Sequence, residues 1–238
     1  MEKKKNDFIA QGSILAIASI LVRVMGMIYR IPMTAIIGDK GNGFYSYAYS
    51  VYTILLLLSS YSLPLAVSKM VSAKAQLGQW RNVKRVFICA IAFAIGIGTT
   101  FGLTVLIGAQ FFTRVFFHSE LAAIALRFMA PTILIMALLG VFRGFFQGLQ
   151  NTLPTAVSQI VEGLINAIMS VVFAYFLFDF GHGMDVASGT TDLGYAWGAA
   201  GGAIGTGAGA LAGLIFCFIL FVAYRKILAV NISRDKTG

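Results

Sequence analysis

FIAQGSILAIASILVRVMGMIYRIPMTAII, residues 8–37, decides the fold. The run is longer than the roughly 20 apolar residues a helix needs to cross a bilayer's hydrocarbon core. Its only charges are Arg23 and Arg30. They lie seven positions apart, two helical turns, so they project from nearly the same face. Each guanidinium costs about 2.5–3.5 kcal/mol at mid-bilayer on the insertion scale. A chain keeps such groups where they line a watery or protein-walled cavity and meet something negative. That makes this helix the leading functional element.

The rest of the sequence extends the same pattern. Hydrophobic residues make up 58% of the 238-residue chain and charged residues 11%, against about 25% charged in soluble domains. Five more apolar runs follow, at 44–71, 86–109, 121–149, 153–180 and 195–224. The expectation is an all-α, polytopic membrane protein: one six-helix transmembrane lobe over residues 1–238. The runs are separated by a turn at Gly38–Gly43, a basic segment at Ser72–Arg85, and a short loop with Arg114, His118 and Glu120. A turn at Gln150–Pro154 and an acidic loop at Gly181–Gly194 complete the set. Met1–Lys5 resembles the charged start of a signal peptide, but the apolar run after it is too long and lacks an A-x-A-like end. It reads as a span that stays. Cys89 and Cys217 fall inside apolar runs and read as small buried hydrophobes.

The net charge of +9 could suggest nucleic acid. The placement of the charges argues against it, because they cluster in short connections. One side of the bundle would receive the N-terminus, Lys69, the Ser72–Arg85 segment, Arg143 and the C-terminal tail, together 13 of the 18 basic residues. The other would hold Lys40 and Arg114 among Asp39, Glu120, Asp179, Asp185 and Asp192. The positive-inside rule then places both termini in the cytoplasm of a cell bounded by its plasma membrane. Pro32, Pro64 and Pro131 fall within or near the ends of spans and would let helices bend. Gly198–Gly213 carries small residues in several small-xxx-small registers, which lets backbones approach closely. A Gly-x-Gly occurs there too, but without the strand and acidic residue a dinucleotide site needs.

Two readings of Arg23 and Arg30 stand at this level. In one, Arg30 snorkels to the interface and Arg23 forms a structural ion pair with Glu162, the one acid deep within a span. In the other, the pair lines a cationic cavity, since the planar guanidinium fork binds phosphate oxygens bidentately. Arg127 fits an interfacial anchor. Arg143 and Gln147, one turn apart, fit the anchoring of a loop or gate. Lys69 fits either a positive-inside anchor or the mouth of the cavity. Glu162 and Gln159 read first as a polar bundle contact. His182 and Asp185 lack metal-ligand spacing, and their loop reads as solvated. No nucleophile elbow, P-loop, H-E-x-x-H or paired carboxylates occur in a span, so transport ranks above catalysis and no cofactor is expected beyond an unassigned coupling ion or membrane potential.

Three segments carry a family resemblance. They are Leu21–Pro32 continued by Ile37–Tyr49 (IGDKGNGFYSYAY), Ser60–Lys69 (SYSLPLAVSK), and Phe142–Glu162 (FRGFFQGLQNTLPTAVSQIVE). Together and in this order they resemble the polysaccharide-exporter branch of the multidrug/oligosaccharidyl-lipid/polysaccharide (MOP) superfamily, nearest to its SpoVB- and MurJ-like Gram-positive members. The resemblance implies a flippase for polyprenyl-diphosphate-linked saccharide, most simply the peptidoglycan precursor lipid II, working by alternating access of two helical lobes. It points to substrate contacts by Arg23 and Arg30, to which the residue reading adds Lys69 at the cavity mouth. Pro32, Pro64, Arg143, Gln147 and Glu162 would serve gating or structure. Arg23 matches a cavity arginine of the first-helix motif. Arg30 lies near a second one, with different spacing. Other superfamily cargo, such as teichoic or capsular precursors or drugs, stays open, as does a non-transporting scaffold in envelope or spore assembly. Members carry a second lobe, so this chain corresponds to the N-terminal lobe, completed by further chain or by a second copy. Six spans with both ends inside match one parallel repeat of such a transporter.

Overall fold

The computed structural model describes residues 2–60 and 62–235, with side chains described from residue 12 onward. Lys3, Lys4, Lys5 and Lys236, which contribute to the charge asymmetry of the sequence, lie outside the described side chains.

Six helices follow one another among the described residues: α1 (Glu2–Ser60), α2 (Leu63–Gln76), α3 (Trp80–Phe117), α4 (Ala122–Gly148), α5 (Leu153–Ser188) and α6 (Leu193–Ser233). No strand occurs among them. Five candidate spans among the described residues are long and apolar enough to cross a membrane, the first bounded by Gly12 and Gln76 and taking in α1 and α2. At 1.5 Å per residue that stretch is far longer than a bilayer is thick, and it is not straight. Gly38 has φ 62° and ψ −179°, a region essentially reserved for glycine. Residues about equally far from Gly38, Tyr29 with Tyr45 and Arg23 with Tyr52, line one cleft. The two arms of α1 therefore run back alongside each other. The expected turn over Gly38–Gly43 contracts to one non-helical residue, and helix resumes at Asp39.

The expected second span, 44–71, is divided between α1, which ends at Ser60, and α2, which begins at Leu63. Pro64 sits in the first turn of α2, where a missing N–H costs nothing, so it starts a helix instead of bending one. Pro32 and Pro131 lie inside helices that continue through them. The Ser72–Arg85 segment is mostly helical, broken only around Leu77–Gln79. α5 continues to Ser188, so most of the expected acidic loop is helix.

The chain's connections sort to two ends. Lys40, beside the Gly38 bend, pairs with Asp192 at 2.9 Å, and Tyr47 stacks on Phe117. The Gly38 bend, the α3–α4 link and the α5–α6 link thus share one end. At the other, the Arg81 amide donates to Asp235 at 2.8 Å.

Small residues set the closest packing. A Cβ on Gly209 would lie 2.6 Å from the Glu162 carbonyl oxygen and 2.7 Å from Asn166 Cβ, and Gly201 and Gly205 abut the α5 backbone at Ala174 and Ser170. This is the α5–α6 seam that the glycine-rich sixth run foreshadows. A second seam, Gly140, Gly144 and Gly148 on α4, seats Pro64, Val67 and Val71 of α2. The first arm of α1 has little cover: Ile17, Ile20, Leu21, Met27, Ile28 and Ile31 are exposed. Of the cysteines, Cys217 is buried, but Cys89 is exposed on α3, contrary to the expectation that both are buried.

Candidate functional site

A cleft of about 620 Å³ opens between the two arms of α1 and the facing sides of α4, α5 and α6. Arg23 and Arg30 both line it, as their two-turn spacing requires. Across from them stand Tyr45, Tyr49 and Tyr52 of the second arm, with Glu162 and Asn166 of α5 and Thr206 of α6. Arg23 and Arg30 are exposed, and neither forms an ion pair among the described residues. Arg30 also borders a shallow groove with Ile31, Thr34 and Ala35. Arg127 is exposed on α4 and does not line the cleft.

Glu162 does not pair with Arg23. Its Oε2 accepts from Arg143 Nη2 at 2.6 Å, while Arg143 Nε donates to Ser158 Oγ at 2.9 Å. Arg143 keeps 11% of its side chain exposed and Glu162 25%, so water is scarce around the pair and its attraction is strong. Among the described residues Glu162 is the one acid lining the cleft, and its engagement by Arg143 leaves Arg23 and Arg30 without a paired carboxylate there. Gln147 donates to Thr155 Oγ1 at 3.3 Å, which ties α4 to the start of α5.

Arg143 and Gln147 border a second chamber of about 380 Å³ with Ser60, Pro64 and Gln159. Leu56 and Met136 line both chambers, so they adjoin. Gln159 Oε1 is buried with no hydrogen-bond partner among the described residues. Lys69 is exposed on α2 and lines neither chamber. Of its two sequence readings, a basic anchor and the cavity mouth, this place on α2 fits the anchor.

Asp185 is the clearest departure from expectation. It is buried, not solvated. Its carboxylate accepts from Thr190 Oγ1 (2.6 Å), Leu193 N (3.0 Å) and Gly194 N (2.8 Å), capping the N-terminus of α6. His182 stacks on Phe178. No cluster that could hold a metal occurs among the described residues.

The polysaccharide biosynthesis protein family matches residues 8–236. Stage V sporulation protein B of Bacillus subtilis is 26% identical over 228 residues, covering 95% of this chain and 41% of that protein. Lipid II flippase MurJ of the same organism is 26% identical over 200 residues, covering 80% of this chain and 37% of that protein. The uncharacterized membrane protein YabM, also of that organism, is 27% identical over 174 residues, covering 73% and 32%. This chain spans well under half the length of each. No solved structure matches it.

Proposed function

The chain belongs to the polysaccharide biosynthesis protein family, and from that premise we propose that it forms one lobe of a flippase for polyprenyl-diphosphate-linked saccharide. The observation that carries the reading is the cleft holding Arg23 and Arg30 while Glu162 is engaged by Arg143. Such a site favours a mobile anion with oxygens in pairs, and a diphosphate fits it. Lipid II is the favoured cargo, supported by the likeness to a lipid II flippase. The lipid tail would stay in the bilayer against the exposed α1 face, and a second lobe, from further chain or a second copy, would close the cleft. The basic end of the bundle, with Lys74, Lys84, Arg85, Arg225 and Lys226, would be cytoplasmic.

Depletion in the host, with each leaflet's lipid-linked saccharides quantified, tests this. Lipid II accumulating on the inner leaflet, restored by wild type but not by Arg23→Ala at equal membrane abundance, is the expected result. Accumulation of another precursor would reassign the cargo. Full rescue by variants neutral at both arginines would support the scaffold reading and overturn this one.

A further inference from the structure

The arginines account for a diphosphate but not for the opposite wall of the cleft. We propose that this wall is a sugar subsite in which Tyr49 stacks on the first saccharide ring while Glu162 and Asn166 bind its hydroxyls. This rests on the proposed function and adds a specificity-determining site to it.

Tyr45 and Tyr52 are each 3% exposed, whereas Tyr49 between them is 42% exposed and lines the cleft. Tyr45 stacks against Tyr49 at 5.8 Å with an 18° interplanar angle, and Tyr52 lies 5.9 Å away at 43°. The two buried rings hold the third in place. An aromatic face is electron-rich, and a pyranose offers it a face of polarised C–H groups. Most apolar walls would take an acyl chain equally well, so the polar groups decide the ligand class. Glu162 and Asn166 are one turn apart on α5 and share the cleft. Glu162 Oε2 is taken by Arg143, which leaves Oε1 as an acceptor. Asn166 Oδ1 is taken by Ser170 Oγ at 2.8 Å, which leaves the amide N–H groups as donors. One planar acceptor and one planar donor beside a ring face suit the paired hydroxyls of a sugar.

The test measures binding to the chain in nanodiscs by native mass spectrometry. The probes are undecaprenyl diphosphate and the same lipid bearing one N-acetylated sugar. Wild type should prefer the sugar-bearing lipid. Tyr49→Leu should reduce that preference about fivefold, in line with the worth of an aromatic contact, and leave binding of the sugar-free lipid unchanged. Tyr49→Phe should keep the preference, which also shows that the fold tolerates change there. A preference intact in Tyr49→Leu, or no preference in wild type, overturns the sugar subsite while the diphosphate reading stands. Failure of wild type to bind either lipid overturns both.

Discussion

Gly209→Ala adds one methyl group at the α5–α6 seam. Its Cβ would sit 2.6 Å from the Glu162 carbonyl oxygen and 2.7 Å from Asn166 Cβ. Ordinary contacts lie near about 3.5 Å, so the helices must separate locally by about 1 Å. Neither obstacle is the end of a flexible side chain, and overpacking of this kind costs about 1–3 kcal/mol. Gly96→Ala on α3 is the matched control, because nothing lies within 4 Å of its Cβ. There the same methyl should be neutral or stabilise by up to about 1 kcal/mol through helix propensity. Unfolding in mixed micelles, followed by the fluorescence of Trp80 and Trp197, reads both. Equal effects of the two substitutions would refute the close-packed seam.

Gly38→Ala should destabilise by about 1–3 kcal/mol, since φ 62° with ψ −179° suits only glycine; an unchanged unfolding midpoint would contradict the bend. Arg143→Ala should cost more than the double change with Glu162→Gln, because the single change strands a carboxylate; a double-mutant cycle with no coupling would contradict the pair. Asp185→Ala should cost about 0.5–2 kcal/mol as a lost helix cap, and faster amide exchange at Leu193 and Gly194 would locate the loss.

Apolar run length makes the helices legible, and the Arg23–Arg30 spacing makes their shared face legible. The arrangement within the site is harder to read. Arg143 and Glu162 lie 19 positions apart, on different helices, so no periodicity links them, and Arg23 is an equally good partner on sequence grounds. Gly140, Gly144 and Gly148 do carry a readable four-residue spacing, a fainter signal than the denser glycines of α6. Asp185 resembles a loop residue because α5 extends past the apolar run, and a polar helix end has the composition of a loop. Tyr49 is hidden within an aromatic stripe whose two other members are core.

Arg23 and Arg30 are proposed as an anion site. The most direct measurement is the affinity of the chain in nanodiscs for undecaprenyl diphosphate and for uncharged undecaprenol, in wild type and in Arg23→Gln. Wild type should bind the diphosphate more tightly than undecaprenol, and Arg23→Gln should lose about tenfold or more of that affinity, as for a charge-assisted hydrogen bond, with undecaprenol unaffected. Equal affinity of wild type and Arg23→Gln for the diphosphate would contradict the anion site.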